Sequence, residues 1–188
     1  LRRSGAAAAV LLVCAVPSHA DPVGVRTLLD GVRNLSAPEG AAGAVAAFGP
    51  DAFAVVAADA DGVRVPLVSA AKWQGGRAVA LGHPGLLAAD ALAAEDNARF
   101  LANAARWCAR GRAGAVVAVV ANPAAADALE QAGLAVVRWS VEQLRERMEA
   151  PDFEVAVLDA DTMGGKEGIR LAQFLTAFVK RGGGVVVG

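Results

Sequence analysis

The chain has 188 residues, of which 55% are hydrophobic and 20% are charged. This composition excludes an intrinsically disordered protein, because disorder requires low hydrophobicity and high net charge. The formal net charge is −1, from 18 basic and 19 acidic residues, and no cluster of lysine and arginine stands out. An electrostatic nucleic-acid-binding surface is therefore not expected, and the length suits one domain with a hydrophobic core.

Residues 1–20 have the layout of a secretory signal peptide. A short basic region precedes an uncharged apolar run from Gly5 to Val16, and the small residues Ser18 and Ala20 stand at the −3 and −1 positions before Asp21. The apolar run is too short to span a bilayer. We expect cleavage after Ala20 and a secreted or periplasmic mature protein without a membrane span. The alternative is a hydrophobic N-terminal helix of the fold.

The two cysteines are predicted to have different surroundings. Cys14 lies in the apolar run, but Val13 stands where a lipoprotein signal needs a small residue, which favours simple secretion over lipidation. Cleavage would leave Cys108 alone, so that no internal disulfide could form. Cys108 follows Trp107 in a helical pattern, which predicts a buried, inert thiol rather than a nucleophile.

The first part of the predicted mature chain is a helix followed by strands. Apolar residues at helical spacing from Val25 to Leu35 predict an opening amphipathic helix. Strands are then predicted on both sides of a turn at Gly49-Pro50-Asp51 and of a hairpin turn at Gln74-Gly75-Gly76. The four predicted strands are Ala44–Phe48, Phe53–Ala57, Val63–Ala70 and Arg77–Leu81. Together they indicate an antiparallel β-meander.

Strands and helices alternate after His83-Pro84-Gly85, which is typical of parallel strands covered on both faces. The predicted helices are Glu95–Arg110, Pro123–Gln131, one beginning at the Ser140 cap with Gln143 completing a capping box, and Lys166–Lys180. The predicted parallel strands are Ala115–Val120, Leu134–Trp139, Phe153–Leu158 and Val185–Val187. The expected fold is therefore α/β, a flavodoxin-like mainly parallel sheet with helices on both faces, preceded by the meander. Because residues 182–188 look like a glycine turn entering a buried strand, the domain at 21–188 is expected to be incomplete at its C-terminus.

Ligands of an open parallel sheet bind beyond the carboxyl ends of its strands. Asn122, the Trp139-Ser140 pair, and Asp159 with Asp161 follow three of the predicted strands. Two acids separated by one residue could bind a metal or orient a nucleophile. The alternative, which we favour, is a polar loop whose acid or hydroxyl caps the following helix.

Two further side chains are candidates for ligand binding. His83 could ligate a ligand or act as a base, although an isolated histidine is more often a structural hydrogen-bonding residue. Trp73, beside the hairpin turn, could be a surface platform for a sugar, whereas Trp107 is expected in the core. The sequence contains no H-E-x-x-H, G-x-S-x-G or C-x-x-C motif, so no catalytic residue, metal site or cofactor is assigned.

Several segments together resemble a known family. Residues 70–77, AAKWQGGR, followed by Val79-Ala80-Leu81-Gly82-His83, resemble the signature of a glutamine-amidotransferase-like domain. This domain occurs in TRP-channel-associated factors and in bacterial secreted proteins, where it often precedes an enhancin-like zinc metallopeptidase module. The Asn-bearing helix with Asn97, Asn103 and Trp107 is similar to the family's pattern, as are Val157-Leu158-Asp159 and the glycine turn at 182–188.

The resemblance implies a flavodoxin-like sheet, and three functions follow from it as hypotheses. The first is a non-catalytic accessory or binding domain of an exported protein, with an extracellular glycan or glycoprotein as its partner. The second is the N-terminal part of a secreted zinc metallopeptidase that acts on glycoproteins. The third is an amidotransferase-like hydrolase whose nucleophile lies beyond residue 188, since Cys108 in mid-helix does not match a nucleophile elbow.

Overall fold

A computed structural model describes residues 21–36, 43–60, 63–147, 151–159 and 165–188. The predicted signal peptide at 1–20 and the candidate Asp161 lie outside these residues. The strands are β1 (Ala52–Ala60), β2 (Val63–Trp73), β3 (Gly76–Leu81), β4 (Val116–Val120), β5 (Ala135–Trp139), β6 (Val155–Leu158) and β7 (Gly184–Val187). The helices are α1 (Pro22–Leu28), α2 (Ala89–Ala93), α3 (Asn97–Cys108), α4 (Pro123–Gln131), α5 (Val141–Glu146) and α6 (Gly165–Lys180), and a 3-10 turn covers Pro84–Leu87.

All seven strands belong to one mixed sheet in the order β1-β2-β3-β7-β6-β4-β5. The first three strands are antiparallel, and β3 joins the parallel part by pairing with β7. The predicted α/β architecture with antiparallel and parallel parts is therefore confirmed. The meander continues the parallel sheet as its antiparallel edge, since the register of Arg77 with Gly184 extends to Ala80 with Val187.

The period of two along each strand divides the core between the faces of the sheet. Val117 and Val119 of β4 point to the first face, where α1, α3 and α4 pack, and Ala118 and Val120 point to the second face. The second face is covered by α5 and α6, whose apolar side chains include Leu144. Because both faces of the parallel part are buried, its strands are continuous apolar runs, as the sequence indicates.

The crossovers fix the point at which the winding direction changes. From β4 the chain crosses the first face through α4 to β5, and it then returns over the second face through α5 to β6 and through α6 to β7. These directions follow the right-handed rule for parallel strands. The helices that follow the neighbouring strands β4 and β6 therefore lie on opposite faces of the sheet. The crevice at the carboxyl ends of these two strands is thus the topological switch point.

Two local predictions are wrong, each for a physical reason. The opening helix ends at Leu28, because polar side chains of α3 hold the following backbone in a non-helical path, although Val32 and Leu35 still pack on the core. Residues 44–48 are not a strand, since the Val45 N–H donates to the Pro66 carbonyl and proline has no N–H to complete a ladder. The short helix α2 was not predicted. Within the described part of the chain, no helix is long and apolar enough to cross a membrane.

Candidate functional site

The carboxyl edge of the parallel strands gathers most of the predicted site residues. His83 follows β3, Asp159 follows β6, Asn122 follows β4 and Ser140 follows β5. The strands are parallel in register, so these four positions lie along one edge of the sheet. This edge is where the general rule for open α/β sheets places ligands.

Asn122 and Asp159 meet at the switch point. The Nδ2 of Asn122 donates to the Asp159 Oδ1 at 3.3 Å and to the Leu87 carbonyl at 3.2 Å. Its Oδ1 accepts from the Ala125 N–H at 2.9 Å and so caps α4. Asn122 thus ties the 3-10 turn, β6 and the start of α4 together. The amide is committed to structural bonds, and the Asp159 carboxylate is one of its partners.

The backbone just before Asn122 shares one feature with a nucleophile elbow. Ala121 has a φ of 53°, in the left-handed region that non-glycine residues rarely adopt, and it links the end of β4 to the start of α4. Enzymes with an elbow place a nucleophile on such a strained strand-to-helix turn. Here the residue is alanine, which cannot attack a substrate.

His83 makes a local bond and lines a small cavity. Its Nδ1 accepts from the Gly85 N–H at 2.9 Å, which caps the 3-10 turn and places the proton of the neutral ring on Nε2. The adjacent cavity has a volume of about 70 Å³ and is lined mainly by apolar side chains such as Leu35, Val56 and Leu67. Among the described residues that line this small space, His83 is the one titratable side chain.

Trp73 lies far from the other candidates. The hairpin turn that follows it packs against Gly182, which precedes β7, so Trp73 stands at the amino edge of the parallel strands. Its side chain is 42% exposed, and the Lys180 Nζ lies 4.9 Å from the centre of its ring. The structure therefore divides the predicted site residues between two opposite edges of the sheet.

Cys108 is buried where α3 crosses β7, as predicted. Its Sγ lies 3.5 Å from the Val185 carbonyl oxygen, and burial raises the pKa of the thiol to about 12. The neutral thiol is a weak nucleophile, so this site is chemically inert at physiological pH.

The segments that carry the resemblance hold the chain after α1 against α3, a role that was not predicted. Asn97 is 3% exposed and makes two reciprocal 2.8 Å bonds with the backbone of Ser36, accepting from its N–H and donating to its carbonyl. Asn103 donates to the carbonyls of Leu28 and Asp30, which holds the segment after α1. In the sequence, the indication of this role is the pair of asparagines six residues apart within the predicted helix.

Asp96 strengthens the same attachment. Its carboxylate accepts from the N–H groups of Arg33 and Asn34, at 2.8 and 3.3 Å. These two bonds lower the pKa of Asp96. The polar cluster of Asp96, Asn97 and Asn103 at α3 is thus a clamp on the N-terminal segment.

The model of the TCAF_N family, described as "TRPM8, N-terminal domain", matches residues 11–188. The chain belongs to this family. The matched residues include all seven strands of the sheet and the polar cluster at α3. The match confirms the resemblance to the TRP-channel-associated group. The glutamine-amidotransferase-like part of that resemblance stays a prediction.

Solved structures of the IMPa metallopeptidase from Pseudomonas aeruginosa share the fold of this TCAF_N chain. The structure with an O-glycopeptide has a TM-score of 0.59 and 23% identity, and it aligns 87% of this chain with 19% of IMPa. The structure described as IMPa metallopeptidase has a TM-score of 0.63 and 21% identity, with 87% and 18% covered. A complex with T-antigen has a TM-score of 0.58 and 21% identity, with 88% and 19% covered. The chain thus spans about a fifth of IMPa, and no curated protein matches the sequence.

Proposed function

We propose that this chain is a non-catalytic accessory or binding module at the N-terminal end of a longer exported protein. We further propose that the rest of that protein is a zinc metallopeptidase acting on glycoproteins. The observation that carries the proposal is the likeness in fold over 87–88% of this chain to 18–19% of IMPa, which is described as a metallopeptidase and in complex with an O-glycopeptide.

The side chains of the switch point support a non-catalytic role. Nucleophilic catalysis needs an activated nucleophile within hydrogen-bond reach of its base. Ala121 occupies the elbow, Asn122 is committed to capping and bridging, and the Cys108 thiol is buried away from this edge. His83 is bonded to its own turn.

The described residues do not supply a zinc site. A catalytic zinc needs three protein ligands and an open fourth position. No group of three histidine, cysteine, aspartate or glutamate side chains that could hold a metal occurs among the residues that the structure describes. Under the proposal, the zinc ligands of the peptidase lie outside these described residues, in another part of the longer protein.

Export is part of the proposal. Asp21, the first residue after the proposed cleavage point, caps α1 by accepting from the Gly24 N–H at 3.0 Å. Its carboxylate also pairs with the Lys72 Nζ at 2.5 Å. Both contacts use the Asp21 side chain, so removal of residues 1–20 would leave them intact.

The partner we propose is an extracellular glycan or glycoprotein, with Trp73 as the aromatic contact. The exposed part of the indole offers an apolar face beside the ammonium of Lys180, a combination that suits a ligand with both apolar and polar surfaces. His83, Asp159 and Asp161 remain weaker candidates at the opposite edge of the sheet.

The alternative is an amidotransferase-like hydrolase whose nucleophile lies beyond residue 188. This alternative is supported by β7, which lies in the middle of the sheet. The strand belongs to the glycine-rich segment 182–188, which resembles the corresponding segment of the glutamine-amidotransferase-like family. The one strained strand-to-helix turn among the described parallel strands, at Ala121, carries no nucleophile, so this alternative requires a second such turn after β7.

Purification of the native protein tests the proposal. We expect an intact mass several times that of this chain, about one bound zinc per molecule, and cleavage of an O-glycosylated peptide but not of its unglycosylated form. The isolated 188-residue chain should cleave neither peptide and should not hydrolyse glutamine. A native protein without zinc or peptidase activity would overturn the metallopeptidase assignment, and glutamine hydrolysis would favour the alternative.

A further inference from the structure

An open apolar groove lies on the second face of the sheet, beside α6. It has a volume of about 600 Å³ and is bounded by Phe48 and Trp73 on one side and by Leu175 and Val179 of α6 on the other. We call it the Phe48–Trp73 groove. Phe48 is 73% exposed and Trp73 is 42% exposed, so two aromatic rings stand at its rim in contact with solvent.

The floor of the groove is made of small side chains. Ala71 pairs across strands with both Ala52 and Ala78, and all three line the groove. Val185 and Val187 of β7 extend the floor toward the parallel strands. An alanine floor between larger walls leaves room for another element of secondary structure to approach the sheet closely.

The rest of the sheet shows what normally covers such a surface. On the first face, α1 and α3 pack over the meander, and on the second face α5 and α6 pack over the parallel strands. Only the part of the second face above β2 and β3 is left as an apolar groove by the described residues. Contiguous exposed apolar surface of this kind marks an interaction site.

The direction of the crossovers indicates where a helix that follows β7 would pack. The steps from β5 to β6 and from β6 to β7 both move toward β3, and both pass over the second face. A right-handed crossover that leaves β7 in the same direction passes over the second face again. Its path lies above β3 and β2, which is where the groove is open.

We propose that the Phe48–Trp73 groove receives an amphipathic helix from the polypeptide that follows β7 in the longer protein. This inference rests on the proposed function, under which the chain is the N-terminal module of such a protein. The floor and the α6 wall favour this occupant over a glycan, because apart from Thr176 their side chains are mostly alanine, valine and leucine. Burial of an apolar helix face on these side chains is favourable, whereas they offer few hydrogen bonds to sugar hydroxyls. The glycan contact of the proposed function uses only the part of the Trp73 indole beside Lys180, at the rim, and leaves the floor to the helix.

Thiol labelling at the groove floor tests the proposal. Ala71→Cys is introduced, in a Cys14→Ser background, into both the 188-residue chain and the native longer protein, and Ala78→Cys serves as a second probe. Ala57→Cys, on the exposed part of β1, is the matched control. We expect a water-soluble maleimide to label position 71 about tenfold or more slowly in the longer protein than in the short chain, and position 57 equally in both.

A photo-crosslinker attached at position 71 of the longer protein then identifies the cover. We expect crosslinks to one segment after residue 188, at positions three or four residues apart, as one face of a helix requires. Equal labelling of position 71 in the two proteins overturns the proposal. So does protection of the short chain that grows with its own concentration, which indicates a second copy, or protection that requires an added O-glycopeptide.

The two proposals fail in different ways. A native protein no larger than this chain contradicts the proposed function and leaves the groove without the proposed occupant. A longer protein with zinc and peptidase activity but an open groove contradicts only the inference about the helix.

Discussion

The guanidinium of Arg77 lies 4.8 Å from the ring centre of Trp107, and its Nη1 donates a 2.8 Å hydrogen bond to the carbonyl oxygen of the same residue. Trp107 in turn meets the Phe53 ring edge-on, with 6.0 Å between centroids. Arg77 belongs to β3 and Trp107 to the last turn of α3, so this contact fastens the helix to the meander. It also joins two of the segments that carry the family resemblance.

Arg77→Ala should destabilise the protein by about 2–3 kcal/mol, because it removes a charged hydrogen bond to a helix carbonyl and a cation–π contact. Urea denaturation followed by circular dichroism measures the free energy of unfolding. Arg112→Ala, at an exposed position after α3, is the control and should change stability by less than about 0.5 kcal/mol. Equal effects of the two substitutions would show that the stacked pair contributes nothing specific.

Asn97→Ala should lower the free energy of unfolding by about 1–3 kcal/mol, since it leaves the N–H and carbonyl of Ser36 without their partner. Hydrogen exchange at the Ser36 amide should accelerate, because the segment after α1 loses its clamp. Asn34→Ala is the matched control, as the Asn34 side chain is exposed. Unchanged exchange at Ser36 in the Asn97 variant would contradict the clamp.

The parallel half of the fold was predictable because its signals are strong and local. The helix Pro123–Gln131 and the capping box of Ser140 with Gln143 are confirmed at the residues that the sequence indicated. Continuous apolar runs also located β4, β5, β6 and β7 to within two residues. In each case the residue pattern and the tertiary burial require the same structure.

The N-terminal segment and the edges of the sheet were less predictable because their structure depends on distant partners. The helical spacing from Val25 to Leu35 reflects burial against α3, but Asn97 and Asn103 hold the second half of that segment in a non-helical path. The division of the candidate site follows from the pairing of β3 with β7, a long-range contact with no local signal. That pairing places Trp73 and His83 at opposite edges.

Ala121→Gly should leave stability unchanged or raise it by up to about 1.5 kcal/mol. Relief of the left-handed strain is worth about 1–2 kcal/mol, and the greater freedom of glycine in the unfolded chain offsets about 0.4–1 kcal/mol of that gain. Ala128→Gly, inside α4, is the control and should destabilise by about 0.5–1 kcal/mol. Thermal and urea denaturation measure both, and a loss in the Ala121 variant as large as in the control would contradict the strained elbow.

The native Cys108 thiol should not react with a water-soluble disulfide reagent at pH 8. In a Cys14→Ser background, one thiol should appear only after urea unfolds the chain, because the Sγ is buried between α3 and β7. The absorbance of the released thiolate gives the rate. Labelling of the folded protein as rapid as that of the unfolded chain would contradict the burial.

The same thiol should make stability depend on alkaline pH. Burial raises the pKa of Cys108 from an ordinary value of 9.0 to about 12, so between these pH values the unfolded chain releases a proton that the folded chain keeps. Proton release then favours unfolding, and the contribution of Cys108 to stability is fully present below pH 9 and is lost as the pH rises toward 12. The slope is at most about 1.4 kcal/mol per pH unit. Cys108→Ala removes this term, so urea denaturation from pH 8 to 10.5 should show the free energies of unfolding of the two proteins converging as pH rises. Parallel curves would mean that the thiol titrates equally in both states and is not buried as the structure has it.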